Sequence, residues 1–395
     1  MGTMSSLDIG RFEIDYGKNE YFTDYRPLFQ LADKKKVTYY YSNNHTETMY
    51  AYSKKLCYIK DRLDLLGYTI DELRKEYDHA ISNRYELRNF MSFDKLAQFL
   101  KNIDITDIAN NGVVWDPIPY VMYGLGYLVN NKKSSNYLPK YFRKKNYDEE
   151  SYCYLLKYLL LRLLAENPKN SDLEVSWRIG AVVENGYIDW NDVEPIIPED
   201  KRIWIVTEGS SDTKIFQKAI NKLYPHVSDV FQYIDMQENY PFTGTGELTK
   251  FYKGLSKIRV LNRMIFIFDN DTEGLSKYNE LKVLKGIPKN IILCHLPSMS
   301  IFDNFATIGP TGEQVANING KAVSIECFLD LNYNGKNAIV RWGGYNDRMK
   351  QYQGSLIDKD SYAKGFTNAE IDSGKYDLTN IKILVEYLFK TIIDS

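Results

Sequence analysis

The feature that most limits what this chain can become lies between residues 202 and 294. Four short apolar runs recur there: Arg202–Thr207, Val230–Ile234, Met264–Phe268 and Asn290–Cys294. Between them, Ser211–Leu223, Glu247–Lys257 and Thr272–Leu284 have helical spacing. Buried strands alternating with helices predict a parallel sheet covered on both faces. In such sheets the residues that do chemistry gather where strands end, at the carboxyl edge. The expected class is α/β, a Rossmann-like parallel sheet flanked by helices.

The first 200 residues have another rhythm. Asp8–Ile14 and Val37–Tyr41 read as extended pieces. Thr69-Ile70-Asp71-Glu72 is a capping box and opens a helix from Ile70 to Arg88. Phe93–Leu100 and Glu149–Ala165 also have helical spacing, and Val175–Ile179 and Ala181–Val183 read as short strands. This half is expected to be a mixed, mainly helical α+β domain. The segment Asp189–Asp200 holds two prolines and five carboxylates, which marks a boundary. The expected domains are 1–198 and 199–395. The net charge of −2 divides there, with −4 in residues 1–200 and +2 in residues 201–395. That balance excludes a generally basic nucleic-acid coat but leaves room for a local basic groove.

Four cysteines and four histidines, with no Cys-x-x-Cys pair, argue against a structural zinc site and a disulfide framework. The most apolar run, Tyr154–Ala165, is broken by Lys157 and Arg162 and is too short to span a bilayer. It reads as a buried helix whose cations snorkel. A cytoplasmic protein with reduced thiols is expected.

Acidic residues crowd the predicted carboxyl edge. The first strand ends at Glu208-Gly209, with Asp212 in the next helical turn. The third ends at Asp269-Asn270-Asp271-Thr272-Glu273-Gly274. A later Glu326 sits at a helix start. Crowded carboxylates repel one another. A divalent cation resolves this, because Mg²⁺ and Mn²⁺ prefer oxygen ligands. Asp269 and Asp271, one residue apart in extended backbone, point to the same side.

A strand ending in Glu-Gly, followed by one ending in Asp-x-Asp, resembles the Toprim domain of topoisomerases, primases and related nucleases. Asp212, four residues after Glu208, resembles the spacing in the overcoming-lysogenisation-defect (OLD) nucleases. So do the Gly-rich Thr243–Gly246 and the late Ile325-Glu326. Met1–Ile14, Arg62–Thr69 and Trp342–Gly354 resemble bacterial proteins labelled HEPN/Toprim-associated. The resemblance implies Glu208, Asp269 and Asp271 as catalytic residues. It implies Glu208, Asp212, Asp269 and Asp271 as ligands of Mg²⁺ or Mn²⁺, with Glu273 and Glu326 for a second cation. Lys321 and Lys336 are candidates for steadying charge on a phosphate.

Each feature also has a plainer reading. Asp269–Asp271 also fits a loop ending in an N-cap, and Glu326 a carboxylate placed by a helix dipole. Arg74 and His79 fit an Arg-x4-His ribonuclease pattern, but a solvated helix face accounts for them. Lys257, Arg259, Arg263, Lys277, Lys282, Lys285 and Lys289 fit a phosphate-tracking groove or ordinary surface helices equally. Tyr39–Tyr41 fits strand packing better than base stacking.

The expected function is a metal-dependent Toprim nuclease acting on DNA or RNA, tRNA included, in prokaryotic defence or as a toxin. The alternatives are a primase-like nucleotidyltransferase and a non-catalytic module that binds nucleic acid or an ATPase. The expected partners are a nucleic-acid substrate and, since no Walker A motif is present, a separate ATPase or sensor protein. No membrane association is expected, and a homo-oligomer stays open.

Overall fold

In the computed structural model the chain falls into two compact units, Met1–Pro198 and Glu199–Ser395. The structure describes residues 2–40, 46–83, 91–111, 157–235, 244–258, 260–333, 335 and 337–395. Lys336, Arg259, Thr243, Tyr41 and Cys153 lie outside the described residues, as do 84–88 and 149–156 of two expected helices.

The first unit is built on a five-stranded antiparallel sheet. Its strands are β1 (Met4–Ile9), β2 (Phe12–Lys18), β3 (Lys34–Tyr40), β4 (Thr46–Lys55) and β5 (Glu174–Arg178), in the order β2-β1-β5-β4-β3. The expected single extended piece over Asp8–Ile14 is instead a hairpin. Gly10, at φ 60°, takes the left-handed turn between β1 and β2. The helices are α1 (Leu56–Leu65), α2 (Ile70–Asn83), α3 (Phe93–Lys101), α4 (Ile105–Asn111), α5 (Lys157–Leu164) and α6 (Gly180–Glu184). Ala181–Val183, expected as a strand, lies in α6. Gly180 packs so closely that a Cβ there would sit 2.0 Å from the Tyr50 carbonyl oxygen, and the chain coils away from β5.

Leu159, Leu161, Leu163 and Leu164 of α5 are fully buried in one core with Trp177, Tyr52 and Phe12. Arg162 does not snorkel. Its Nε donates to Asp64 Oδ1 at 2.6 Å, and its Nη1 reaches Glu166 Oε1 at 2.5 Å, both within the packed interior. A guanidinium so buried is held by paired carboxylates in place of water. Arg178 is likewise buried against Asp8.

The second unit holds the alternating elements. Strands β6 (Ile203–Val206), β7 (Phe231–Ile234), β8 (Arg263–Phe268) and β10 (Ile291–His295) form a sheet ordered β10-β8-β6-β7, and every pairing is parallel. The two-residue β9 (Asn270–Asp271) follows β8. Helices α7 (Ser210–Leu223), α8 (Thr245–Leu255) and α9 (Thr272–Lys282) make the crossovers. Leu248, Tyr252 and Leu281 of α8 and α9 pack with Val206, Phe266 and Phe268.

Beyond the sheet come β11 (Phe305–Gly309), β12 (Gly312–Ala316), β13 (Ala322–Val323), β14 (Val340–Asn346), β15 (Gln351–Leu356), α10 (Lys359–Asn368) and α11 (Thr379–Ile393). A second sheet has the order β12-β11-β14-β15, and β13 pairs with β9. Helices α10 and α11 both pack on α7. No described helix is long and apolar enough to cross a membrane.

Candidate metal centre

Strand order decides where a site can form. The chain runs from β6 outward to β7, then crosses back to place β8 on the other side of β6. The crevice between the carboxyl ends of β6 and β8 is therefore the point where winding reverses, the usual ligand position in such sheets. Val206 of β6 is level with Phe266 of β8. Glu208 follows Val206 by two residues, and Asp269 follows Phe266 by three.

Backbone contacts hold these side chains. The Gly244 amide donates to the Glu208 carbonyl at 3.4 Å, and Gly244 is held at φ 82°. Gly274 in the first turn of α9 lies against Asp269, where a Cβ would sit 2.4 Å from the Asp269 carbonyl oxygen. Only glycine lets α9 start so close behind the strand. Asp212, in the first turn of α7, accepts from the Gly209 amide at 3.2 Å. The Asn270–Val323 and Asp271–Ala322 pairs of β9 with β13 deliver the following turn, Ile325–Phe328, to the same edge. Glu326 in that turn is 1% exposed, and its Oε2 accepts from Ser324 Oγ at 2.6 Å.

The electrostatics show the convergence. Burial, then Asp271 and Asp212, push the Glu208 carboxyl up to about 8. Burial and Glu326 raise Asp212 to about 7 against the opposing charge of Lys359. Asp269 lies well above the ordinary aspartate range, through burial and then Glu208, Asp212, Asp271 and Glu326. Asp271 is raised by burial, with the Gly274 amide opposing. The Oε1 atom of Glu208 is buried with no hydrogen-bond partner. An orphaned buried oxygen among mutually repelling carboxylates is a donor set suited to a hard divalent cation.

The set is not preassembled. Among the described residues, no group of three or more His, Cys, Asp or Glu is arranged to hold a metal ion. The difference between proximity and arrangement has a cause in Asp271. Its Oδ1 caps α9 by accepting from the Gly274 amide at 2.7 Å, and its Oδ2 accepts from Gln353 Nε2 at 3.0 Å. The capping role open at the sequence level is thus real, and it ties down one expected ligand. The exposed Glu273 accepts from Thr245 Oγ1 at 2.6 Å.

Two participants, Lys359 and Gln353, carry no sequence signal. Lys359, at the start of α10, is the lysine whose charge bears on Asp212 and Asp271, and it is held protonated by Glu326, Asp269 and Asp212 against the effect of burial. A lysine opening a helix after Asp358 reads as ordinary solvated surface. The expected candidate Lys321 instead contributes backbone, in a bridge beside Asp271. Asp235, at the end of β7, accepts from Ser210. Gln353 sits in a strand that the sequence does not announce.

Other candidates fall away. Arg74 pairs with Asp94 at 2.8 Å and lies 4.2 Å from the Phe93 ring, while the exposed His79 contacts Asn83 one turn on. Tyr39 is buried and donates to the Tyr50 carbonyl at 2.8 Å. Lys257, Arg263 and Lys289 flank the starts of β8 and β10, at the amino edge and away from the carboxylates.

Residues 1–202 match the family described as HEPN/Toprim N-terminal domain 1. The chain belongs to that family. No curated protein and no solved structure matches. Membership ties the chain to a nuclease-like HEPN/Toprim group. The match ends just before β6, so the carboxylate edge lies outside it.

Proposed function

We propose that this HEPN/Toprim protein is a divalent-cation-dependent nuclease whose second unit is a Toprim domain of the OLD-like branch. It would cleave phosphodiesters of DNA or RNA in the cytoplasm, as a prokaryotic defence or toxin effector. The observation that carries this reading is the orphaned Glu208 oxygen at the winding reversal, surrounded by Asp212, Asp269 and Asp271. Glu208, Asp212 and Asp269 would hold Mg²⁺ or Mn²⁺, with Asp271 joining once it gives up Gln353. Glu326 and Glu273 would serve a second ion. A bound cation supplies an acidified water and neutralises the leaving oxygen of an in-line displacement. Lys359 brings a positive charge to the non-bridging phosphate oxygens. Of the neighbouring carboxylates, Glu326 does most to favour the protonated lysine.

The test is incubation of the purified protein with DNA and RNA panels in Mn²⁺ or Mg²⁺. Cleavage should vanish on chelation and in the Glu208→Ala and Asp269→Ala variants. Cleavage that survives both changes overturns the assignment. The two engaged oxygens of Asp271 favour one rival, a binding module without catalysis. Calorimetric titration with Mn²⁺ separates the two, since only the nuclease takes up metal.

A further inference from the structure

The amino edge of the parallel sheet carries a surface of another kind. Helix α8 leads through residues 256–262 into β8, and α9 leads through residues 283–290 into β10. One side chain ties these two loops together: Asn290 Nδ2 donates to the Val260 and Asn262 carbonyls, at 2.8 Å each. Each loop sends one aliphatic residue inward, Val260 and Ile287, against the core that α8 and α9 cover. Others stay out. Ile258 is 57% exposed, Leu261 70%, Val283 75% and Leu284 38%. Lys257, Lys282 and Lys285 are their chain neighbours, and Lys289 precedes the bridging Asn290. All four lysines are exposed, and none has an ion-pair partner among the described residues. Neither loop contains Asp or Glu. Glu199, whose carbonyl accepts from Asn262, has its carboxylate 3.5 Å from Arg202.

We infer that this edge docks on an anionic lipid surface, with Ile258, Leu261, Val283 and Leu284 entering the acyl boundary and the four lysines meeting lipid phosphates. Exposed apolar groups rimmed by charge mark interaction sites, and the residue types choose among partners. Protein interfaces are rich in aromatic residues and poor in lysine; these loops bring lysines and no aromatic residue. A second copy would set lysines against lysines. A nucleic-acid strand would find its phosphates met, but aliphatic groups where a base needs a ring. Lipid satisfies both halves. The aliphatic side chains leave water for acyl chains, and the lysine stems follow them while each ammonium stays among headgroups. Every lysine near an anionic leaflet adds to the attraction. Such docking needs no spanning helix. Strand β8 is six residues long, so the loops lie about 20 Å from the carboxylates at its other end. A docked molecule keeps that edge on the side away from the lipid. The inference stands apart from the nuclease reading.

The experiment is sedimentation of the full-length protein with vesicles of phosphatidylglycerol mixed with phosphatidylcholine, and with vesicles of phosphatidylcholine alone. Wild type should pellet with the mixed vesicles and stay in solution with the neutral ones. The double variant Leu261→Ser/Val283→Ser keeps every charge and should lose about tenfold or more in partition. Lys285→Gln/Lys289→Gln keeps every aliphatic group and should also lose about tenfold. All four positions are exposed, so both variants should melt as wild type. Polyglutamate and duplex DNA serve as anionic probes without an apolar layer, and wild type should bind them more weakly than the mixed vesicles. Undiminished vesicle binding by the Ser variant, equal binding to neutral vesicles, or tighter binding to either polymer overturns the inference. The polyglutamate result would point instead to an acidic protein surface, and the DNA result to nucleic acid. Cleavage in Mn²⁺ without vesicles is read in parallel and should be the same in wild type and both variants. Vesicle docking in a protein that cleaves nothing leaves the docking surface standing and removes the nuclease.

Discussion

Replacing Glu208 with Gln should make the cation-free protein more stable while removing its function. A carboxyl raised from 4.5 to about 8 binds its proton more tightly in the folded chain than in the unfolded one. Its contribution is therefore fully present below about pH 4.5 and is lost as pH climbs toward 8. Above that window the fold carries a buried, repelled charge. At ~1.4 kcal/mol per tenfold, the span corresponds to at most ~5 kcal/mol. Asp212, Asp269 and Asp271 share the repulsion, so ~1–3 kcal/mol belongs to Glu208 alone. For a unit of this size that is a rise of roughly 3–10 °C in melting temperature. The assay is thermal melting in chelator at pH 8 and pH 5, then in Mn²⁺. Glu208→Gln should melt above wild type at pH 8, with the gap shrinking at pH 5. Mn²⁺ should raise wild type and barely move the variant, since only the ionised carboxylates reward the cation. A variant that melts at or below wild type at pH 8, or gains as much from Mn²⁺, refutes the reasoning.

Three further outcomes follow from geometry already described. Gly274→Ala puts a methyl 2.4 Å from the Asp269 carbonyl oxygen, so the strand end must move; cleavage should collapse with a stability loss of ~1–3 kcal/mol, read by activity and denaturant titration together. Lys359→Met should lower the cleavage rate by about 10²-fold at saturating Mn²⁺ with little change in melting; a rate within threefold or so of wild type would remove Lys359 from the site. Arg162→Met leaves Asp64 buried without its partner and should cost ~3–5 kcal/mol in urea unfolding, less in acid where Asp64 takes a proton.

The sequence made the second unit's sheet readable because each strand there is a continuous apolar run. Ile203–Val206 and Met264–Phe268 are buried on both faces, so their pattern depends on no distant partner. Every helix of that region was visible within two or so residues of its ends. Apart from the short turn at Glu326, the elements from Phe305 to Asn368 were not visible. Strand β12 is almost wholly solvated, and β14 and β15 are broken by glycines and exposed tyrosines, so no apolar run announces them. Their strands are defined by pairing across the chain. The same contrast holds at the site. Glu208 and Asp269 could be located because they follow readable strands. Gln353 and Lys359 could not, because their positions depend on β15 and α10. In the first unit, Asp8–Ile14 concealed a turn because Gly10 carries no signal beyond its freedom at φ 60°.

The pairing of β9 with β13 is only two residues long, yet it joins early and late parts of the chain at the carboxylate edge. Glu208 and Asp269 emerge from a ribosome well before Val323 and Glu326, and Lys359 comes later still. A nascent chain halted before β13 would own its first carboxylates but lack the buried Glu326 and Lys359. The carboxylate edge with its lysine would then be complete only after Lys359 has been made. A chain truncated before residue 320 should show no Mn²⁺-dependent cleavage and no Mn²⁺-dependent rise in melting temperature, and either signal in such a fragment would remove this timing.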